Sequence, residues 1–317
     1  MGSEESTSAP VLSGIPQGSI LGPILFTVFI NDMPECVKSS CKIFADDTKI
    51  FNRTVEKDII QEDIYSLQNW SDRWNLYFNV AKCHVMHVGV KNEKCDYTMK
   101  LENELKTIES CEEEKDLGIT FDSKLSFDQY IKKIVSKANQ MIGIIKRAFT
   151  YLDKETFLKL YKAFIRPHLE YGNVIWAPHL LRQSRYVENV QRRATRLLPE
   201  CKDMNYTERL EYLKLHSLKG RRIRGDMIQM FKIVNGIDNL NLSSLFTSNP
   251  CTLTRNSEGK FLQQHCSTNI RLNTFSFRVL KHWNSLPQQW KYAKNTNTFK
   301  NLLDASPKFI KLFNGFD

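Results

Sequence analysis

The feature that most constrains the fold is a pair of adjacent aspartates between two short segments of alternating character. Residues 41–51 have the sequence CKIFADDTKIF, and a period-two alternation on both sides of Asp46 and Asp47 is typical of half-buried β-strands. We predict a β-hairpin with both aspartates at its turn. Because adjacent carboxylates repel each other unless a cation lies between them, the pair indicates a divalent metal ion. Ordinary turn chemistry is the alternative, since Asp side chains readily bond their own backbone in turns.

A segment rich in glycine and proline precedes the hairpin. Residues 13–26 have the sequence SGIPQGSILGPILF. Glycines such as Gly14 and Gly18 permit positive φ and close approach of the backbone to a ligand, and Pro23 suits the first turn of a helix. The apolar residues that follow predict that this loop leads into a buried helix.

Together, the two segments resemble motifs B and C of reverse transcriptases. Motif B corresponds to SGIPQGS..GP.LF and motif C to FADD, in the right order and at a plausible separation. The residues of these motifs and their spacing are similar to those of non-LTR, LINE-type retrotransposons of the Jockey and CR1-like groups. The later phrases YLKLHSLKGRRIRGDMIQMFKIVNG and FSFRVLKHWNSLPQQW extend the resemblance over nearly the whole chain after Val11. The chain thus resembles a reverse transcriptase from motif B onward.

The resemblance implies roles for the residues of these motifs. Asp46 and Asp47 would hold metal for nucleotidyl transfer with two Mg²⁺ ions, the first aspartate being the more direct ligand. Gln17 and Gly18 of motif B would lie beside the template and the incoming nucleotide. The implied activity is RNA-directed DNA synthesis, with an RNA template, a DNA primer and dNTPs as partners.

A segment that resembles motif D follows at residues 76–89, with Lys82 in a turn between two predicted strands. The resemblance places this lysine near the triphosphate. An ammonium group close to phosphates acts as a charge partner or as an acid. A solvated turn lysine is the alternative.

The resemblance also implies a preceding strand with another metal-binding aspartate, and a fingers region. The start of the chain, MGSEESTSAP, is small and polar, which predicts a disordered tail and contains neither. Carboxylates from two strands bridge the metal ions, and loss of one such ligand usually costs most of the activity. We therefore expect impaired catalysis. Asp32 and Glu35 follow the motif B helix, but nothing in the pattern places either where the absent aspartate should be.

Size and charge limit the remaining function classes. The chain has 317 residues, 41% of them apolar and 25% charged, which is enough for two or three globular domains. Its net charge of +10 favours an anionic partner such as nucleic acid, although a basic surface also occurs without one. The longest apolar run, residues 20–30, is interrupted by Gly22 and Pro23 and is shorter than the roughly 20 residues that cross a bilayer. We expect no membrane association.

The cysteines point to an intracellular protein. Eight cysteines occur without the framework of a small disulfide-rich domain, and no signal peptide is present, so we expect reduced thiols in the cytoplasm or nucleus. Cys83, His84, His87 and Cys95 lie close together, but none of them forms a pair at zinc-ligand spacing. This spacing disfavours a zinc site.

The periodicity changes along the chain from mixed to helical. An amphipathic helix is predicted at residues 55–77, and strands between residues 97 and 122, where Gly118 either belongs to a strand or allows a close backbone approach in a segment that resembles the primer-positioning region. Asp153 is a predicted N-cap for a helix that Pro167 would stop. The other predicted helices cover residues 126–149, 185–198 and 217–234, and a short one lies near residues 298–303.

Two of these helices carry clusters of basic residues. The first cluster is Arg192, Arg193 and Arg196, and the second is Lys219, Arg221, Arg222 and Arg224. Cations at a helix N-terminus oppose the helix dipole, so the second cluster indicates an anionic partner, for which a phosphate backbone is the obvious candidate. Solvated basic faces are the alternative.

The sequence as a whole predicts an α+β fold. A partial palm would cover residues 11–122, a helical thumb-like domain residues 123–236, and a loop with a C-terminal element residues 237–317, after a tail of residues 1–10. The favoured function is a fragment of a retrotransposon reverse transcriptase with impaired catalysis. A non-catalytic nucleic-acid-binding remnant is the alternative, and instability from an unpaired sheet edge is a third possibility.

Overall fold

The computed structural model describes residues 18–53, 57–89, 92–102, 104–248 and 259–314. The chain divides into two units, Met1–Glu114 and Lys115–Asp317. The first unit holds most of the strands and the second most of the helices, so the α+β class is confirmed. No helix in these ranges combines the length and the apolar character that crossing a membrane requires. The domain limits predicted at residues 122 and 236 stay predictions.

The first unit pairs its strands two at a time. Its elements are α1 (Leu21–Ile30), β1 (Ser40–Phe44), β2 (Asp47–Phe51), α2 (Lys57–Trp74), β3 (His84–Val85), β4 (Thr98–Leu101), β5 (Glu104–Thr107) and β6 (Glu109–Ser110). β1 with β2 and β4 with β5 are antiparallel pairs, and β3 runs parallel to β6. One small core gathers Ile64, Val80, Tyr97, Met99 and Ile108, and another Ile30, Met33, Leu67 and Trp70.

Helix α2 contributes to both cores and also completes the hydrogen bonding of β4. Its side-chain amides at Gln61 and Gln68 each donate to and accept from the β4 backbone. Gln61 pairs with Thr98 at 2.9 Å in both directions, and Gln68 with Lys100 at 2.8 and 3.0 Å. β4 therefore has β5 along one edge and two glutamines along the other, which leaves few of its backbone groups unpaired.

Helix α1 forms where motif B predicts it, with Pro23 in its first turn, but it is not buried. Ile24, Leu25 and Val28 are 57%, 50% and 69% exposed, and Ile30 is its buried residue. The prediction of a buried helix is therefore wrong for the part of the chain that the structure describes. The reason is that apolar residues surround this helix on all sides, whereas the described elements pack against one side of it.

The second unit is mainly helical. After the hairpin β7 (Glu113–Asp116) and β8 (Ile119–Asp122), its helices are α3 (Asp128–Ala148), α4 (Lys154–Leu160), α5 (Arg166–Glu170), α6 (Asn173–Trp176), α7 (Leu181–Thr195), α8 (Tyr206–Leu213), α9 (Leu218–Val234), α10 (Leu242–Leu245), α11 (Asn269–Leu272), α12 (Phe275–Trp283), α13 (Gln288–Lys291), α14 (Thr296–Ala305) and α15 (Pro307–Asn314). Gly118 is a turn residue between β7 and β8, not a strand residue. Its φ is +84° and that of Leu117 is +46°, as a tight two-residue hairpin turn requires.

Asp153 caps α4 as predicted, but Pro167 does not stop the helix. The Asp153 side chain accepts hydrogen bonds from the backbone of Glu155 and Thr156 at 2.9 and 3.0 Å. Beyond α4, a π-helical turn at Tyr161–Ile165 leads directly into α5, where Pro167 occupies the first turn. The wider turn shifts the hydrogen-bond register ahead of the proline, which has no N–H to contribute.

Helix α9 joins the two hydrophobic cores of the second unit. The first core runs from Ile119 to Leu218, and the second gathers residues from Met227 onward, including those of α12, α14 and α15. A buried carboxylate fixes the start of α9, because Glu188 accepts hydrogen bonds from the backbone of Leu218 and Lys219 at 3.1 and 3.3 Å. Burial raises the pKa of Glu188.

Candidate functional site

The predicted β1–β2 hairpin is present, and its turn lies one residue earlier than expected. Phe44 is opposite Asp47, so Ala45 and Asp46 form a two-residue turn. Ala45 has φ +52°, a left-handed conformation that costs a non-glycine residue roughly 1–2 kcal/mol. Asp46 is therefore a turn residue as predicted, whereas Asp47 opens β2 and does not lie in the turn.

Both carboxylates at the tip of this hairpin are exposed to solvent. Neither Asp46 nor Asp47 makes a side-chain hydrogen bond or an ion pair with any residue that the structure describes. The local turn bonds that would explain the pair as ordinary turn chemistry are thus not formed. Behind the tip, Ile43 and Ile50 pack partly buried on the two small cores of the first unit. The hairpin is anchored through its apolar side chains and presents its carboxylates outward.

Asp63 of α2 fixes the chain where it enters this hairpin. It is 1% exposed, and its two carboxylate oxygens accept hydrogen bonds from the backbone of Lys38 and Ser39 at 2.7 and 2.9 Å. A buried carboxylate that accepts two backbone N–H groups is satisfied without a cation. The sequence analysis missed this residue, which positions the aspartate hairpin against α2.

The donor set for a metal ion is incomplete among the described residues. Within those ranges no three or more His, Cys, Asp or Glu side chains are arranged to hold a metal ion. Asp32 accepts a hydrogen bond from the Trp70 indole at 3.0 Å, which gives its carboxylate a structural partner. Asp46 and Asp47 fit as part of a magnesium site, since Mg²⁺ prefers carboxylate oxygens, but the pair alone does not complete one.

Gly18 and Lys82, the other motif residues that the structure describes, make no hydrogen bond with Asp46 or Asp47. Gln17 lies outside the described residues. Gly18 is exposed and has φ +89°, a conformation that L side chains rarely adopt. Lys82 ends a short 3₁₀ turn, is exposed, and donates its backbone N–H to Asn79 at 2.9 Å. Within the described part of the chain, no hydrogen bond or ion pair joins Lys82 to either aspartate.

The basic residues at the start of α9 have partners within the chain. Arg221 forms a bidentate pair with Glu170, and Arg224 forms one with Asp304 at 2.7 and 2.7 Å. Arg222 is 6% exposed and donates to the Ser184 hydroxyl at 3.1 Å. Carboxylates of the chain thus offset the charge that opposes the α9 dipole.

The basic residues of α7 are more accessible. Arg193 is exposed and donates to Asn139 at 2.9 Å. The Arg192 guanidinium lies over the Tyr206 ring at 4.1 Å from its centroid. Arg196, one turn further along, is exposed. These side chains give the end of α7 a positive surface.

Comparison with known proteins identifies relatives of the part that contains the hairpin. A family model described as "Reverse transcriptase (RNA-dependent DNA polymerase)" matches residues 1–143. The chain is 27% identical over 214 residues to the probable RNA-directed DNA polymerase from transposon X-element of Drosophila melanogaster, which covers 62% of this chain and 23% of that protein. It is 30% identical over 185 residues to the RNA-directed DNA polymerase from mobile element jockey of the same species, over 53% of this chain and 20% of that protein.

The chain therefore spans about a quarter or less of the length of these two relatives. No solved structure gives a significant match. The comparisons confirm the resemblance inferred from the motifs. Residues 1–143 match the reverse transcriptase family, and the curated relatives are similar to this chain as members of its non-LTR, LINE-type group.

Proposed function

We propose that this chain is part of a retrotransposon RNA-directed DNA polymerase in which the β1–β2 hairpin supplies metal ligands. One observation carries the proposal: two adjacent carboxylates, Asp46 and Asp47, are exposed at the tip of an anchored hairpin and have no partner among the described residues. Such a pair is costly without a cation. The reverse transcriptase match of the surrounding segment gives the cation a role, which is catalysis of nucleotidyl transfer.

The other motif residues have roles in the same proposal. Gln17 and Gly18 lie beside the RNA template and the incoming dNTP, and the positive φ of Gly18 suits a close backbone approach. Lys82 faces the phosphates as a charge partner or an acid. Residues 11–122 act as a partial palm, and the helices within residues 123–236 act as a thumb that contacts the DNA primer.

Catalysis by the 317 residues alone is impaired in this proposal. A two-metal site requires carboxylates from more than one strand, and the described residues bring no third ligand to Asp46 and Asp47. The metal affinity and the geometry of the site both depend on such a ligand. We therefore expect weak activity or none from the isolated chain.

Primer extension on an RNA template tests the proposal. The parent chain is compared with Asp46→Asn and Asp47→Asn, with Mg²⁺ and then Mn²⁺, and Glu62→Gln serves as a surface control. Extension that both aspartate variants abolish would establish a polymerase completed by another carboxylate. If the parent extends primers and the aspartate variants extend them equally well, the metal-ligand role is refuted.

A non-catalytic nucleic-acid-binding role is the second candidate, and the positive surface at the end of α7 favours it. The side chains concerned are Arg192, Arg193 and Arg196, with Lys219 near the start of α9. Arg221 and Arg224 belong to the proposed surface through charge, although their hydrogen bonds go to carboxylates of the chain, whereas Arg222 is buried and adds only its charge. Salt-sensitive RNA binding that Asp46→Asn leaves unchanged would support this role. Absence of binding at low salt would refute it.

A further inference from the structure

Helices α3 and α7 of the second unit lie side by side and parallel. Two hydrogen bonds between them show this arrangement: Arg182 donates to Asp128 at 3.2 Å, and Arg193 donates to Asn139 at 2.9 Å. Each bond joins residues that are 54 positions apart in the sequence. The two bonds are about three helical turns apart, which is roughly 16 Å along the axis. Over this length the helices stay in register and share one exposed face.

An aromatic ring lies on this face among positive charges. The spacing of 54 positions also relates Lys132 of α3 to Tyr186 of α7, so these two residues lie next to each other, about one turn beyond Asp128 and Arg182. The Tyr186 side chain is 45% exposed. Lys132 and Arg185, the residue before the tyrosine, are both exposed. The tyrosine ring is therefore accessible and has a cation on either side.

The positive charge continues along the face toward the end of α7. Arg193 is exposed, and the hydrogen bond that its guanidinium donates goes to the neutral amide of Asn139. Arg196 is exposed about one turn later. Lys132, Arg185 and Arg196 make no hydrogen bond or ion pair with any residue that the structure describes. These side chains can meet a ligand without breaking a contact of the fold.

The acids of the two helices do not offset this charge. Asp128 accepts hydrogen bonds from Arg182 and, at 2.6 Å, from Gln183. Glu188 is fully buried, where it accepts the Tyr206 hydroxyl and the first backbone N–H of α9. Cations that repel one another are favoured together when an anion lies between them, so the face is complementary to a negatively charged partner.

We propose that the face shared by α3 and α7 binds a single strand of nucleic acid. One base stacks on the Tyr186 ring, and the phosphates of neighbouring nucleotides contact Lys132, Arg185 and Arg193. Proteins that bind single strands combine cations that follow the backbone with an aromatic ring on which an unpaired base stacks. A duplex would use the cations and leave the ring unused, because its bases stack on each other. The inference rests on the nucleic-acid binding proposed above and assigns it to a particular face.

Fluorescence anisotropy on the full chain, with a labelled single-stranded RNA and with a duplex of the same length, tests the stacking. Tyr186→Leu should weaken single-strand binding at least about fivefold, the lower end of the range for one base–aromatic stack. The ratio of single-strand to duplex affinity should fall by the same factor. Tyr186→Phe, which keeps the ring, should restore most of the lost affinity. A single-stranded DNA probe shows which sugar the face accepts, and a Tyr186 effect with either probe supports the site.

Lys132→Gln tests the phosphate contact, over about 50 to 200 mM salt. It should reduce the slope of log affinity against log salt by about 0.7, the value for one phosphate contact on a single strand. Lys137→Gln is the matched control, because Lys137 is an exposed cation of the same helix that lies about 140° further round it, on the flank away from α7. All the substituted side chains are exposed, so circular dichroism should show unchanged unfolding temperatures.

The outcomes separate this face from the general proposal. If the parent binds and Tyr186→Leu and Lys132→Gln both behave like Lys137→Gln, the face is refuted, whereas nucleic-acid binding by the end of α7 stands if Arg196→Gln weakens it. Equal losses of single-strand and duplex affinity in Tyr186→Leu refute the stacked base. If the parent binds neither probe at about 50 mM salt, where phosphate contacts are strong, the nucleic-acid proposal fails and this inference fails with it.

Discussion

Asp63 is the residue on which the position of the aspartate hairpin depends. In Asp63→Asn, one of its two acceptors becomes an NH₂ group that faces a backbone N–H of Lys38 or Ser39. We expect the first unit to lose about 1–3 kcal/mol of unfolding free energy. Urea denaturation measures the loss, and hydrogen exchange across residues 41–51 shows whether the hairpin itself is released.

The neighbouring Glu62 provides the control for this substitution. It pairs with Lys38 at 2.8 Å, but both side chains are largely exposed. Surface ion pairs of this kind contribute about 0–1 kcal/mol, so Glu62→Gln should leave hairpin exchange unchanged. Equal effects from the two variants would show that Asp63 has no special role.

Lys291 makes the unfolding free energy of the second unit depend on pH in the alkaline range. It is 1% exposed and donates to the Gly259 carbonyl at 3.0 Å. Burial, and then the charge of Lys260, lowers its pKa from 10.5 to about 8. Between these two pKa values, Lys291 is protonated in the unfolded chain and neutral in the folded one. The unfolded chain therefore binds more protons, and the unfolding free energy rises with pH across this window. We expect a rise of about 2 kcal/mol for the parent relative to Lys291→Met.

Urea denaturation at about pH 7.5 and about pH 10 measures this difference, within the window set by the two pKa values. Lys281→Met, at an exposed position of α12, should respond to pH like the parent. A parent and a Lys291→Met variant with the same pH response would mean that Lys291 is hydrated in solution.

At the residue scale, the sequence was informative where polar residues visibly interrupt an apolar periodicity. The aspartate pair stands between two apolar strands and was found, whereas Asp63 was missed. It lies on the apolar stripe of its helix, between Ile60 and Ile64. A charged residue at such a position predicts a buried polar contact. This signal was available, but its partner could not be predicted because the partner comes from another element.

At the scale of elements, Gly220 decides whether α15 can lie against the start of α9. A Cβ atom at Gly220 would lie 2.1 Å from the carbonyl oxygen and 2.4 Å from the Cα atom of Phe313. That backbone is held in place, because Phe313 accepts hydrogen bonds from both the N–H and the hydroxyl of Ser217 at 3.1 and 2.7 Å. Gly220→Ala should therefore cost more than about 2 kcal/mol of stability.

The same helix contains its own control. A Cβ atom at Gly225 would meet the Asn173 side chain at 3.7 Å, an ordinary contact. Gly225→Ala should stabilise the helix by about 0.5–1 kcal/mol through its better propensity. Thermal unfolding of the two variants compares them, and a Gly220→Ala variant as stable as Gly225→Ala would show that α15 does not pack there in solution.

Elements with strong periodicity were predicted well, and their ends were not. The helix predicted at residues 126–149 is α3, Asp128–Ala148, whereas the one predicted at 185–198 is α7, Leu181–Thr195. The start of α7 was missed because Leu180 is not a capping residue type. The continuation through Pro167 was missed because a π-helical turn depends on the packing of Tyr161 and Ile165, both buried in the core, and leaves no local pattern.

For the whole molecule, the fold class could be predicted from the sequence, whereas the solvent exposure of α1 could not. Alternating and helical periodicities occur in separate parts of the chain, and this separation predicted an α+β fold. A helix that is apolar on all sides predicts burial from its own residues, but whether it is buried depends on which elements pack over it. An exposed apolar surface of this kind typically marks a place of contact with other protein.

The division into two units predicts that the second one folds alone. Every buried residue of its two cores lies between Ile119 and Phe313, and α9 contributes to both cores. A fragment of residues 113–317 keeps the β7–β8 hairpin whole. Because both of its cores are formed by its own residues, we expect cooperative unfolding, with a midpoint within about 4 °C of the corresponding transition of the full chain, a shift equivalent to about 1 kcal/mol.

The first unit provides the contrast for this experiment. Among the residues that the structure describes, its two cores have five and four buried residues, and α1 exposes apolar side chains beside them. A fragment of residues 1–112 should therefore bind a hydrophobic dye and exchange its amide protons faster than residues 113–317. Circular dichroism during heating, dye binding and hydrogen exchange measure these properties. If residues 113–317 melt without cooperativity while the full chain melts sharply, the second unit requires the first for its fold, and the assignment of two independent units is wrong.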